Sequence, residues 1–472
     1  MKAFTAILRF ELRAAFRERS LPWLFAIFAC ALGYAMGNGL RWTAARAEAI
    51  EHVRRDLAQQ HGQALTRFRA AETRDATRAV SPASLAAGIW YRPTLPLAPL
   101  AFVAVGQADR FPFETRFHPT NVRAVFAPLP VSIDHPGESA AGRFDVAFVL
   151  VTVLPVLLLA ACFDAWVRDR ESGVARLLLA QPVGLAHFVF AKVLARGGTL
   201  LAASMVLLAV ALVGGAQWAG FPLEGGGVLV AEAGVLGYGA FWLGVAALIN
   251  LTVASAAASA VAVGATWIAV VGLAPAGLGA ALDLVRPPPD IGALVNALRV
   301  NELEQDEAEA RAAVEIRVAG SRSNALGAAL ARTERQKRTR AELRAPFEAQ
   351  AAARLHLANT LRLLVPPVAL QDTLERIAGH DAPRALSYQR QVWNFIDGLH
   401  NYIRQPTNAG SSIKTLDERF AAVPRFAFAE RAGRERNGPI QANLALLLSA
   451  AAITILAAAW TVRRSGNEGT PR

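Results

Sequence analysis

From Val146 to Val167 the chain reads VAFVLVTVLPVLLLAACFDAWV, with Asp164 its only charged residue. A run of that length fits the roughly 20 apolar residues needed to cross a bilayer as a helix. In hydrocarbon every backbone N–H and C=O must be satisfied within the segment, so few other folds are open to it. The run then meets Arg168, Asp169, Arg170 and Glu171 at once. Such a cluster ends a span, and its arginines favour the cytoplasmic side. Beyond Gly173 the stretch Val174 to Ala180 is apolar except for Arg176, and Pro182 stops any helix there. The region 168–196 therefore reads as a short helix held between two spans.

Composition agrees once it is taken segment by segment. Hydrophobic residues make up 54% of the 472, yet 18% are charged, a mixture that implies two environments. The net charge of +12 comes almost wholly from arginine, since lysine occurs only at Lys2, Lys192, Lys337 and Lys414. That excess is spread over loops and span ends rather than along one stripe, which argues against nucleic-acid binding and matches cytoplasmic flanks of spans. Cys30 and Cys162 both fall inside apolar runs and imply no disulfide framework.

The order of segments follows. Residues 1–20 place Phe4, Ile7, Leu8, Leu12 and Phe16 at helical spacing, with Arg9, Arg13 and Arg17 on another face, as suits a helix lying in the membrane interface. A signal peptide is the alternative, but the following run, 21–40, is longer than the usual apolar core of one. The predicted spans are 21–40, 146–167, 197–218, 228–251, 256–278 and 440–462, with Pro275 and Gly277 expected to break or bend the fifth. Between them lie two large loops, 41–145 and 279–439, and a tail, 463–472. The first loop is helical and charged to about Arg78, then too rich in proline for long helices, from Pro93 to Pro136. The second is rich in Ala, Glu and Arg from Asn301 to Leu364, which predicts a long helix or helical hairpin. Helical character continues from Leu370 to Arg404, where Tyr388, Trp393, Phe395 and Tyr402 are available for packing. The expected fold is an all-α polytopic membrane protein of six transmembrane helices. It has an N-terminal amphipathic interfacial helix, a mainly helical extracytoplasmic domain and both termini in the cytoplasm. Basic outer loops do not oppose this orientation, because long loops cross largely regardless of charge.

Catalytic chemistry finds little support. No G-x-x-x-x-G-K-[ST] loop is present to cradle nucleotide phosphates, the eight histidines show no H-E-x-x-H spacing, and no G-x-S-x-G occurs. No metal ligand set is predicted, a site at His118 or His135 beside Asp134 being the weaker reading of solvated loop histidines. Two carboxylates fall in or near spans, where burial is costly. Asp164 is expected to pair with Arg168 one turn away, and Glu232 to snorkel or face water.

The stretch RDRESGVARLLLAQPVGLAHFVFAKVLA resembles the permease subunits of type 2 ABC exporters. Their pattern there is an acidic residue, Gly-Thr, a Leu-rich helix, a proline and a Gly-Lys entering the next span. Glu171, Gly173, Leu177, Leu178, Pro182 and Lys192 fall on that pattern; Val174, Gly184, Leu185 and Ala191 depart from it. A closer resemblance is to a bacterial subfamily with a domain of unknown function in its two outer loops. It is carried by LAFVAVGQADRFPFE (Leu100 to Glu114), GRFDVAFVLVTVLP (Gly142 to Pro155) and LERIAGHDAPRALSYQRQVWNFIDGL (Leu374 to Leu399).

The resemblance implies a non-catalytic permease in the bacterial cytoplasmic membrane, exporting an unknown substrate. Its partners would be cytoplasmic ABC ATPase subunits, which bind ATP and Mg and leave this chain without a cofactor, together with a second permease copy or a related permease, and membrane lipids. The ATPase would be met at Arg170, Glu171, Ser172, Gly173, Val174, Arg176 and Leu177. Physically, a short helix offset from the membrane suits a groove in a soluble partner, and Glu171 near its start would be favoured by the helix dipole. The alternative for Arg168 to Arg176 is an ordinary solvated loop that holds topology. For the whole chain the alternatives are a mechanotransmission subunit acting on an external protein, or a membrane scaffold or receptor.

Overall fold

Among the described residues six helices are long and apolar enough to cross a bilayer: Ser20–Arg74, Val146–Glu171, Leu185–Trp218, Gly225–Thr252, Ala256–Val285 and Gly433–Arg464. They are called the first to sixth spans below. The computed structural model describes residues 2–17, 19–74, 80–106, 108–122, 143–222, 225–319, 325–404 and 415–467. Among these there is no β-strand, only isolated bridges such as Tyr91 with Phe117 and Thr94 with Glu114.

Several helices outrun their apolar runs. The first does not end near Leu40 but continues unbroken to Arg74, a 55-residue rod roughly 80 Å long. Its second half is rich in Ala, Arg, Glu and Gln, strong helix formers without an internal proline. The third span starts at Leu185 rather than Gly197, with a π turn at Leu194–Gly198. Pro275 and Gly277 do not break the fifth span, which reaches Val285. A π turn at Ile268–Leu273 stands just ahead of Pro275. Such a wide turn makes room for a proline that lacks an N–H and crowds the preceding carbonyls. Pro155 follows a π turn at Val149–Val153 in the same way.

Small residues let the spans close on one another. A Cβ on Gly244 of the fourth span would lie 2.2 Å from Thr454 Oγ1 of the sixth, and one on Gly239 would lie 2.6 Å from both terminal methyls of Leu201 in the third. The resulting bundle core includes Phe28, Leu32, Leu150, Leu158, Trp166, Tyr238, Trp242 and Leu447.

The long loops build a second core around Leu85, Tyr91, Phe117, Tyr388, Ile396 and Leu399. Tyr388 is fully buried there, and Trp393, Phe395 and Tyr402 pack against this core, as the sequence leads one to expect. Helices Ile291–Ala319 and Ala325–Leu361 form the hairpin, with Arg340 3.7 Å from Glu302 across it. The first span reaches into this loop domain, where Arg69 pairs with Asp417 at 2.7 Å and Glu72 with Arg419 at 2.7 Å. Pro128, Pro130, Pro136, Asp134 and His135 lie outside the described residues.

The three stretches that carried the closer resemblance meet where loop domain joins bundle. Leu100 to Val105 is buried, and the Ala147 N–H donates to the Val103 carbonyl at 2.9 Å. Asp145 caps the second span by accepting from Phe148 N–H at 2.9 Å, and its other oxygen accepts from Val105 N–H at 2.9 Å. His380 Nδ1–H donates to the Ala104 carbonyl at 2.6 Å; burial pulls its pKa down to about 4, so the ring is neutral. Phe102 wedges between the first and third spans, close enough that a Cβ on Gly39 would overlap its carbonyl at 2.0 Å.

Candidate functional site: the turn between the second and third spans

At the end of the bundle opposite the loop domain, the second span is interrupted. Its helix stops at Cys162 and resumes at Val167 for five residues, leaving Phe163 to Trp166 as a turn. Backbone groups freed inside a bundle need partners, and two neighbouring spans supply them. Asn250 of the fourth span is wholly buried. Its Oδ1 accepts from Trp166 N–H at 2.9 Å, while Nδ2 donates to the Cys162 carbonyl at 2.8 Å and to Ala246 at 2.9 Å. Ser259 of the fifth span donates to the Phe163 carbonyl at 2.5 Å. The break is thus sutured by side chains rather than by its own helix.

Beyond it, Gly173 adopts φ +78°, a left-handed conformation that costs a residue with a Cβ. It starts a second short helix, Val174–Leu179. Between the two, Arg170 donates to the Val253 carbonyl, and Glu171 Oε1 accepts from Ala256 N–H at 2.9 Å. Ala256 is the first residue of the fifth span, whose start Ser255 also caps at 3.2 Å. Lys192, buried in the third span, stands 2.8 Å from Asp169 and 3.3 Å from Glu11 of the interfacial helix Lys2–Arg17. Asp164 lies 3.0 Å from Arg196 and 3.6 Å from Arg168. Four elements, the interfacial helix and the third, fourth and fifth spans, are therefore tied to the turn of the second.

What this turn shows outward is apolar. Leu177 is 73% exposed, Leu179 47% and Val174 41%, with Arg176 among them; Ala175 is buried and Leu178 packs against the bundle core.

The model of the ABC-2 family transporter proteins matches residues 5–460. The chain belongs to that family. No curated protein matches the chain. It is an ABC transporter permease and a multi-pass membrane protein.

Seven residues of this permease were predicted to contact an ATPase. The structure divides them: Glu171, Ser172, Gly173, Val174, Arg176 and Leu177 are exposed and Arg170 is half-buried, and the Arg170 and Glu171 side chains bond back to the junction of the fourth and fifth spans. The dipole that Glu171 meets is accordingly not that of its own short helix. Glu171 ends one helix, Gly173 separates it from the next, and its carboxylate faces the unsatisfied N–H groups that open the fifth span. Asp164 pairs with Arg168 as expected, and the closer Arg196 is an additional partner. Glu232 is half-buried about two turns into the fourth span, with Oε1 unbonded among the described residues. Sequence reasoning missed Asn250, Ser259 and Glu11 as parts of the turn, whereas Lys192 already fell on the pattern of that stretch. Asn250 carried a signal, as a lone amide at the end of an apolar run.

Proposed function

We propose that this permease couples ATP hydrolysis by a separate ABC ATPase to export, receiving the ATPase's movement at the turn 172–179. The observation that supports this most is the pairing of an exposed apolar knuckle, Val174, Leu177 and Leu179, with a sutured helix break directly behind it. Exposed apolar groups of this kind suit a partner surface. The break gives that surface somewhere to move, and Arg170, Glu171, Asn250 and Ser259 carry the movement into the fourth and fifth spans. On this reading the turn and both termini are cytoplasmic, the loop domain lies outside the bacterial cytoplasmic membrane, and ATP and Mg are held by the partner. A second permease, either another copy of this chain or a related one, completes the assembly.

The test is co-purification from membranes with the ATPase expressed beside it. Leu177→Glu is expected to abolish association while the permease still inserts and folds. Full retention of the ATPase by Leu177→Glu and Arg176→Glu together would overturn the docking assignment.

One observation favours a second use of the same motion. The first span is a continuous rod from the membrane into the loop domain, fixed there through Arg69 and Glu72. A rod of that kind suits transmission of force to the loop domain and to an external protein bound there.

A further inference from the structure

We infer that the loop domain holds a binding site for a free anionic amphiphile, a molecule with a phosphate or carboxylate head and an aliphatic tail. A cleft of about 710 Å³ opens between the outer part of the first helix and the segment 420–428. That volume lies within the roughly 300–1,000 Å³ of small-molecule sites. One wall is a single helical face, since Ile50, Val53, Leu57, Ala58, His61 and Leu65 recur at three- and four-residue steps. Phe420, Phe426 and Phe428 face it, with Tyr91 between. A Cβ on Gly62, in the same wall, would touch nothing within 4 Å, so the space beside the helix is open.

The charged groups of the cleft share one sign. Arg54, Arg92 and Arg425 line it, and no carboxylate does. Arg92 is already satisfied by Asp56 and Glu114, and His61 Nε2 by the Trp90 carbonyl at 3.0 Å. Arg54 and Arg425 are exposed; Arg54 pairs only on the surface with Glu51, and Arg425 has no ion pair among the described residues. Aromatic and aliphatic walls with two available guanidinium groups fit a tail and an anionic head together, whereas either part alone leaves half the site unused. The ten residues from Leu40 to Ile50 put the cleft about 15 Å beyond the end of the predicted membrane run. A bilayer lipid would have to leave the membrane to fill it, so the ligand is assigned as free in solution.

The site stands independently of ATPase coupling, and its test measures binding alone. Octyl phosphate is titrated calorimetrically into the full chain in phosphatidylcholine nanodiscs, with empty nanodiscs subtracted. Saturable binding is expected, with octanol and inorganic phosphate each at least tenfold weaker. The double variant Arg54→Glu, Arg425→Glu and the single variant Ala58→Trp, which fills the cleft from an exposed helix position, should each weaken binding at least tenfold at an unchanged unfolding midpoint. Equal binding of octanol, or no effect of the charge reversals, would show that no anion is read. Undiminished binding by Ala58→Trp would place the ligand elsewhere, and competition from phosphatidylglycerol in the nanodisc would overturn the assignment to a free ligand.

Discussion

Asn250 is the residue on which the turn depends most directly. Without it the buried Trp166 N–H has no acceptor and the Cys162 carbonyl keeps only the Ala165 N–H at 3.1 Å. An unsatisfied buried group costs about 1–3 kcal/mol, so Asn250→Leu should lower the unfolding midpoint in detergent. More diagnostically, it should retain the bound ATPase while ATP turnover loses its dependence on transport. An amide in an apolar run is visible in the sequence; its partners 84 and 88 positions away are not. A second residue effect is electrostatic. Burial, reinforced by Asp372, Asp145 and Asp381, pushes the Glu375 carboxyl up to about 7, against a hydrogen bond from Gln371 that lowers it. The folded protein then binds this proton more tightly than the unfolded chain, whose ordinary value is 4.5. Stability should therefore fall as pH rises through that window. Glu375→Gln, which mimics the protonated acid, should match wild type near pH 4 and exceed it at pH 8 in thermal unfolding. A difference independent of pH would count against the assignment.

At the scale of elements, hydrophobic runs located the six spans because the cost of unpaired backbone in lipid leaves few alternatives. Their ends were less legible. Ser20–Arg74 and Leu185–Trp218 extend past their apolar windows because helix propensity and tertiary packing continue where hydrophobicity stops. Proline was misleading in the fifth span, since the π turn at Ile268–Leu273 absorbs Pro275 without ending the helix. The break at Phe163 to Trp166 had no sequence signal of its own, being stabilised by residues of other spans. Gly173, by contrast, was visible, and its left-handed φ explains why the residue there lacks a Cβ. Gly173→Ala should cost roughly 1–2 kcal/mol, felt by the two short helices rather than by the bundle. Hydrogen exchange should accelerate over residues 172–179 and stay unchanged in the fourth and sixth spans, while Gly173→Asn, better tolerated in that conformation, should show a smaller change.

On the scale of the whole molecule, the fifth span stands apart because none of its most apolar window is buried within the chain. One stripe of its exposed surface is made of small residues, Ala265, Ala269, Gly272, Ala276 and Ala280, flanked by the exposed Val261, Ile268 and Leu273, and Gly264 and Gly272 have no neighbour near the position of a Cβ. Small residues in a transmembrane helix permit close approach of another helix, from which the energy of association in lipid comes. The outward residues of the third span, Val206 and Val210, are bulkier and suit lipid tails. If the second permease of the assembly is another copy of this chain, its fifth span packs against this stripe. In a Cys30→Ser background, with Cys162 left buried, Ala269→Cys should cross-link into a dimer on mild oxidation in membranes. Val206→Cys, equally open to lipid, should not. Cross-linking at both positions would mean random collision. Its absence at Ala269, Ala265 and Ala276 alike would move the partner permease to another face.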